Sequence, residues 1–369
     1  MRIKLITLIA ISLLASSIFV SAMTLGSDPL PLFTSNLYVS NPTQEITAME
    51  KALLDRINSA TVSIDLTIYD FNRSTVKDAL VAAQERGVVV RVVTDDVSLM
   101  DPDYAPFFTL LEAVGITVVD DARSSTMHNK FIVIDGSIVW TGSTNLTDND
   151  FTFNHNNSVV FTSTLLADIY TTEFNEMFMD RRFGTQKHDN TPHLLDYDGI
   201  PLEIYFSPSD GALDEIISEV ASAEESIYFS IYFFTIDSLS DAFIERQQAG
   251  VTIAGVWDRL GAGNHASKDE TLCSAGVPIK IEDFSGKMHN KFMVIDAHGA
   301  LPRVATGSMN WSNSGDKSND ENTLIIHDSQ VAQMYLTAFE QLYQALGPET
   351  LCLENSRRYL PTVLKDGKP

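Results

Sequence analysis

The chain is short of positive charge and of cysteine. Only 25 of its 369 residues are Lys or Arg, against 49 Asp or Glu, for a formal net charge of −24. A surface this acidic repels long polyanions, whose affinity comes largely from cations that neutralise phosphates. A nucleic-acid partner is therefore disfavoured, although a locally basic cleft within an acidic protein remains compatible with one. Cys273 and Cys352 are the only cysteines. They exclude a disulfide-rich scaffold and allow at most one bridge, and the sequence does not show that they meet. No CxxC or HExxH pattern occurs. The usual metal-site spacings are thus missing, and no metal or other cofactor is expected.

Long apolar runs are also missing after the N-terminus. Residues 5–20 form a mostly apolar stretch that follows Arg2 and Lys4 and ends at the small residues Ser21 and Ala22. This reads as a cleavable signal peptide over 1–22. The run is somewhat short of the roughly 20 residues that span a bilayer; an uncleaved N-terminal anchor is the alternative. Either reading places the remainder outside the cytoplasm, secreted or periplasmic.

What the chain does have is a duplication, the feature to seek first. Residues 127–135, MHNKFIVID, return at 288–296 as MHNKFMVID, with one position changed. Thr141-Gly142-Ser143-Thr144-Asn145 returns as Thr306-Gly307-Ser308-Met309-Asn310. Upstream, 63–71 parallels 226–234. Helical periodicity flanks these runs at 46–59 and 74–86 and again at 213–222 and 238–249, and apolar runs at 88–94 and 251–257 read as buried strands. Each half ends on an amphipathic helix, expected at 165–183 and 331–346. Strands alternating with helices predict an α/β protein: two similar α/β/α lobes, pseudo-twofold related, each with a mixed sheet flanked by helices. Lobe 1 is expected over 35–186, a linker over 187–199, lobe 2 over 200–348 and a tail over 349–369.

Residues two apart on a strand face the same side. His128 and Lys130 therefore project together, as do His289 and Lys291, while Asn129 and Asn290 point away. Core packing preserves an apolar run such as 131–134 but has no use for a His-Lys pair in both halves. The repeated pair points to chemistry: an imidazole to bond or carry a proton, and an ammonium to hold an anion. Asp135 and Asp296 close each motif and are expected to act as supports at the strand end. The remaining histidines, His155 and His327 among them, lack repeated partners and are expected on the surface or in loops.

His-x-Lys-x4-Asp followed by Gly-Ser-x-Asn, present twice, resembles the signature of the phospholipase D superfamily, which includes phospholipases D, cardiolipin synthases, small nucleases and tyrosyl-DNA phosphodiesterase. The resemblance covers nearly the whole mature chain. It implies metal-independent phosphodiester chemistry through a phosphohistidine, with one His as nucleophile and the other as general acid. It also implies that Lys130, Lys291, Asn145 and Asn310 bind the phosphoryl oxygens, with Ser143 and Ser308 supporting that pocket.

In that family a side chain eleven residues after the motif Asn holds the His tautomer. The positions here are Asn156 in the first half and Glu321 in the second. A carboxylate raises imidazole basicity where an amide only orients the ring. Basicity alone would favour His289 as nucleophile, but likeness to relatives, in which an amide accompanies the attacking N-terminal His, makes His128 the expected nucleophile and His289 the general acid. Two motifs per chain make a monomer sufficient for one site. The substrate expected is a phospholipid or another phosphodiester, with contact to a membrane surface; a secreted nuclease and a phosphatidyltransferase are the alternatives. Residues 103–108, with Phe107 and Phe108, are a candidate loop for lipid tails.

Overall fold

A computed structural model describes residues 30–33 and 46–347. The segment read as a signal peptide, Cys352 and the tail lie outside the described residues. Lobe 1 runs β1 (Leu30–Phe33), α1 (Ala48–Ser59), β2 (Ser63–Thr67), α2 (Ser74–Glu85), β3 (Val89–Thr94), α3 (Asp96–Met100), α4 (Ala105–Ala113), β4 (Thr117–Asp120), β5 (Phe131–Ile134), β6 (Ile138–Gly142), α5 (Asp148–Thr152), β7 (Asn157–Thr162) and α6 (Thr164–Phe178). Lobe 2 runs β8 (Leu194–Tyr197), β9 (Ile200–Ser207), α7 (Ala212–Ala221), β10 (Ser226–Ile231), α8 (Asp237–Gln248), β11 (Thr252–Trp257), α9 (Arg259–Ala262), α10 (Asp269–Ser274), β12 (Ile279–Ile281), β13 (Lys291–Ile295), β14 (Arg303–Gly307), α11 (Asn313–Lys317), β15 (Glu321–Ile326) and α12 (Ser329–Ala345).

The sheets have orders β1-β7-β6-β5-β2-β3-β4 and β12-β11-β10-β13-β14-β15-β9-β8. In each, three strands joined through helices run parallel, and the motif strands pair antiparallel. The expected fold class therefore holds: two similar α/β lobes with mixed sheets and flanking helices. Helices α1, α2 and α4 cover the outer face of the first sheet, and α7, α8 and α10 that of the second. Buried residues of both inner faces join α6 and α12 in one shared core, where Phe131 of lobe 1 packs near Phe206 of lobe 2 and both ring-stack edge-on with Tyr170. Burying apolar surface that neither lobe covers alone favours their association by roughly 25 cal/mol per Å².

Three features differ from expectation. The stretch 187–199 is not merely a linker: it contains β8, the edge strand of the second sheet, and its Lys187 is buried against Glu173 and Asp320. Helix α6 stops at Phe178 rather than 183, because Arg181 takes a left-handed φ of 57° that breaks the helical path. A third antiparallel strand, β7 or β15, follows each motif pair.

The glycines of the repeated Thr-Gly-Ser segments have a steric cause. A Cβ on Gly142 would lie 2.3 Å from Asn157 O, and one on Gly307 2.2 Å from Asn322 O. The absent side chains let β6 and β14 close onto β7 and β15.

Asp135 and Asp296 are also structural. Both take left-handed φ, 51° and 49°, which Asp tolerates better than most residues. Asp135 accepts N–H bonds from Thr61, Val62 and Ser63, and Asp296 from Glu224, Glu225 and Ser226. Each carboxylate ties the start of the neighbouring antiparallel strand, β2 or β10, to the end of its own. Burial pushes the Asp135 carboxyl up, but these N–H donors outweigh it and hold it below its ordinary range. Asp296→Ala is expected to lower stability by about 2–3 kcal/mol, since charge-assisted bonds are lost and buried N–H groups orphaned. Urea unfolding measures this; an unchanged midpoint contradicts the assignment.

Candidate active site

Each motif His lies just before its strand, and two kinds of contact fix it there. The first comes from its own lobe. Asp95, immediately after β3, accepts the N–H of Met127 at 2.9 Å; Asp258, immediately after β11, accepts that of Met288 at 2.9 Å. The second comes from the other lobe. His128 N–H donates to Asp320 O at 2.9 Å, and Asp320 N–H to Thr126 O at 2.9 Å. In the second half, His289 N–H donates to His155 O and His155 N–H to Lys287 O, each at 2.8 Å. Each motif is therefore bridged to the segment that opens the opposite lobe's third strand.

The intervening asparagines extend this seam. Asn322 Nδ2 donates to Asn129 Oδ1 at 3.0 Å, and Asn157 Nδ2 to Asn290 Oδ1 at 2.9 Å. Thr141 Oγ1 donates to Asn322 Oδ1 at 2.7 Å and Thr306 Oγ1 to Asn157 Oδ1 at 2.8 Å. All six side chains are buried.

The seam crosses the orienting partners. Glu321, expected beside His289, lies against His128: Oε2 is 2.8 Å from Nδ1. Asn156, expected beside His128, lies against His289, with Oδ1 3.0 Å from Nδ1. Pairing within each half is thus replaced by exchange between halves. Ser308 Oγ donates to Glu321 Oε2 at 2.7 Å, and Ser143 Oγ to Asn156 Oδ1 at 2.9 Å. The serine hydroxyls therefore brace the orienting side chains.

Asn156 is itself held by Asp150, whose Oδ1 accepts from Asn156 Nδ2 at 2.8 Å and lies 3.8 Å from His289 Nδ1. This bond turns the amide so that its oxygen faces the imidazole. Nδ1 then carries the proton on both rings, leaving both Nε2 atoms for chemistry.

Charge confirms the convergence of the two motifs. Burial lowers His128 to about 4, opposed by Glu321 and reinforced by Lys130 and Lys291. Burial lowers His289 well below its ordinary value, and Lys291, Lys130 and His128 add to the effect. Burial brings Lys130 down to about 8, partly opposed by Glu321 and Asp70. Lys291 is likewise driven well down, by burial and then Lys130. Lys130 Nζ donates to His128 O at 2.8 Å and Lys291 Nζ to His289 O at 2.6 Å. Tyr69 and Tyr232 meet the edges of His128 and His289, with centroids 5.5 and 5.0 Å apart.

Asn145 is buried, and its Oδ1 accepts Asp70 N–H at 3.5 Å; Asn310 Oδ1 is buried with no hydrogen-bond partner among the described residues. Asp135 and Asp296 sit at the opposite ends of their strands from the histidines, so these motif carboxylates do not join the cluster. His155 is not a surface residue: it is buried edge-on to Phe284 within the seam. The expected lipid-tail loop is instead largely helix α4, with Phe108 in the core and Phe107 packed against it.

Asp95, Asp258 and Asp150 are the site residues that sequence reasoning missed. Asp95 and Asp258 follow equivalent strands, a repeat that could have marked them. Asp150 has Gly315 at its equivalent position, so the duplication gave no signal. Among the described residues, two groups could gather metal-ligating atoms, Glu203-Glu219-His327 and Asp95-Asp96-Asp121; neither contains a motif residue.

Comparison with known proteins bears on this geometry. The family model described as "Cardiolipin synthase, PLD-like domain" matches residues 53–178 and 216–343. A protein named phospholipase D from Rickettsia felis is 31% identical over 169 residues, covering 46% of this chain and 81% of that one. A mitochondrial cardiolipin hydrolase from Xenopus laevis is 31% identical over 142 residues, 38% of this chain and 66% of that one. The crystal structure of phosphatidylserine synthase from Haemophilus influenzae superposes with a TM-score of 0.64 at 12% identity, over 80% of this chain and 84% of that one, and so shares the fold. With the domain matched in both halves and over most of its length, this chain belongs to the phospholipase D superfamily and is a phosphodiesterase of that kind.

Proposed function

We propose that the chain hydrolyses phospholipid head groups through a phosphohistidine on His128, with His289 as general acid. The crossed orienting pair carries the choice of nucleophile. When His128 Nε2 bonds to phosphorus while Nδ1 keeps its proton, the ring becomes cationic. The Glu321 carboxylate on Nδ1 stabilises that charge; the Asn156 amide on His289 offers less. The P–O bond to the leaving alcohol breaks as the His289 imidazolium gives that oxygen its Nε2 proton. His289 then accepts a proton from water, whose oxygen attacks phosphorus and releases His128. An alcohol in place of water gives phosphatidyl transfer through the same intermediate.

Lys130 and Lys291 supply the positive charge that holds the non-bridging oxygens, with Asn145 and Asn310 as further donors. Charge stabilisation of this kind needs no metal ion. The proposal is of a metal-independent reaction.

A lipid substrate is favoured by what surrounds the histidines. Val97 and Leu260 occupy equivalent positions, two residues beyond Asp95 and Asp258, and are 54% and 53% exposed; Met100, on the same helix as Val97, is 71% exposed. Apolar side chains on both rims of the site suit insertion into a lipid interface. The relatives named phospholipase D and cardiolipin hydrolase agree with that reading. The acidic charge of the chain disfavours DNA. Action outside the cytoplasm is part of the proposal and rests on the N-terminal sequence. Among the described residues no helix is long and apolar enough to cross a membrane.

The test is hydrolysis by the purified protein with EDTA present, offering phosphatidylcholine vesicles and single-stranded DNA in parallel. Head-group release with intact DNA is expected, and His128→Ala or His289→Ala should each lower the rate by about 10³-fold or more. Cleaved DNA with intact lipid, or activity retained in either variant, contradicts the proposal.

The dependence of kcat/KM on pH is expected to be bell-shaped. His128 must be neutral to attack, so the rate falls as pH drops through about 4. The general acid His289 must be protonated, and it is lowered well below its ordinary value, so the rate falls again as His289 loses its proton, before Lys130 loses its charge at about 8. A flat profile between pH 3 and 10, on the order of the span these groups cover, contradicts those roles.

A further inference from the structure

The two motif histidines differ in how far away their counter-charge lies. Glu321 Oε2 is 2.8 Å from His128 Nδ1. The group in that place on His289 is the Asn156 amide, which carries no charge. Behind the amide stands Asp150, on helix α5, with Oδ1 3.8 Å from His289 Nδ1. Among the described residues it is the one carboxylate within ion-pair distance of that ring. The repeat shows a complementary exchange. Six positions before the carboxylate Glu321 stands Gly315; six positions before the amide Asn156 stands Asp150. A Cβ on Gly315 would lie 2.3 Å from Asn310 O, so the second half has no room for a side chain there. Each imidazole thus has one carboxylate, directly on Nδ1 for His128 and one layer back for His289.

Asp150 is buried, and three donors fix its orientation. Thr147 Oγ1 donates to Oδ2 at 2.6 Å, and Asn156 Nδ2 and Asn154 Nδ2 donate to Oδ1 at 2.8 and 3.1 Å. Among the described residues no Lys or Arg forms an ion pair with it; Lys130 and Lys291 act on it from further off. A buried charge is costly without a partner, and the partner in reach is a protonated His289. The imidazole has the matching need. A general acid must begin its step protonated, yet burial, Lys291, Lys130, His128 and Lys287 all act to remove that proton. Neither the Asn156 amide nor the phenol of Tyr232, edge-on to the ring, brings a charge to oppose them.

We propose that Asp150 is a positioning residue that keeps His289 charged for its role as general acid, acting through Asn156 and across the 3.8 Å to Nδ1. The inference rests on the general-acid role given to His289 above and adds the residue that sustains it. No proton passes to Asp150. Nδ1 keeps its hydrogen, directed at Asn156 Oδ1, and Nε2 gives its own to the leaving oxygen as the P–O bond breaks. The distance suits the task. A carboxylate bonded directly to Nδ1, as Glu321 is on His128, holds an imidazolium firmly; one set back keeps the ring charged but leaves it the stronger acid.

Two soluble lipids separate this role from a structural one. Dihexanoyl phosphatidylcholine expels an alkoxide that needs a proton; dihexanoyl phosphatidyl-4-nitrophenol expels 4-nitrophenolate, which needs little help. Asp150→Asn keeps the shape of the side chain and removes its charge. It is expected to lower kcat/KM for the choline lipid by about tenfold to a hundredfold, part of the roughly 10²–10⁴ that a general acid supplies. The loss for the nitrophenyl lipid should be several times smaller. The limb on which the rate falls as His289 loses its proton should move to lower pH, because an anion that favours the charged ring is gone. Asp150→Asn combined with Asn156→Asp puts a carboxylate on Nδ1 itself and should move that limb above its place in the unaltered protein. Equal losses on the two lipids, a limb that neither variant moves, or loss of folding in both variants makes Asp150 structural and overturns the inference while the phosphodiesterase reading stands. Undiminished turnover of the choline lipid by His289→Ala, or no cleavage of either lipid by the unaltered protein, overturns that reading and the inference with it.

Discussion

The arrangement of this molecule depends on a buried polar seam between two halves that resemble each other. Asn129, Asn157, Asn290 and Asn322 are all buried, and each finds its amide partner in the opposite lobe. Buried amides without partners are costly, so the halves cannot part without orphaning these groups. Apolar contact alone would tolerate sliding; hydrogen bonds with fixed geometry do not. The same seam carries the backbone bridges that hold His128 to Asp320 and His289 to His155. Fold and site are therefore fixed by one set of contacts.

On this symmetric frame the chemistry is asymmetric. His128 faces a carboxylate and His289 an amide, so two imidazoles from near-identical motifs sit in different electrostatic surroundings. The asymmetry recurs one turn away, where Asp150 backs Asn156 and the equivalent residue in lobe 2 is Gly315. It recurs between equivalent positions of the repeat, charged at Asp70 and Asp148 and neutral at Phe233 and Asn313. A displacement at phosphorus has an entering side and a leaving side, and unlike orienting partners suit the two histidines to them.

Much of this was legible in the sequence. The repeated nonapeptide, the Thr-Gly-Ser segments and the alternation of helix and strand suffice for two α/β lobes and one shared site. The pairing of each His with its orienting residue was not legible. Sequence proximity suggests Asn156 for His128, whereas the contact that forms joins His128 to Glu321 across 193 positions. Strands β7 and β15 escaped notice because they open on polar residues, Asn157-Ser158 and Glu321-Asn322, whose burial follows from the seam and not from hydropathy. Phe107 and Phe108 looked like a lipid-facing loop, yet helix α4 turns Phe108 into the core. The exposed apolar pair is instead Val97 and Leu260, visible only once the equivalent strands are aligned.

The most direct test of the crossed site is the imidazole titration of His128 and His289, followed by NMR in the unaltered protein and in Glu321→Gln. Glu321 opposes the burial that lowers His128. Removing its charge should therefore drive the His128 pKa lower still and shift its Nδ1–H resonance, with a smaller effect on His289. A shift confined to His289, the histidine of the same half as Glu321, would contradict the exchange between lobes and the assignment of His128 as nucleophile.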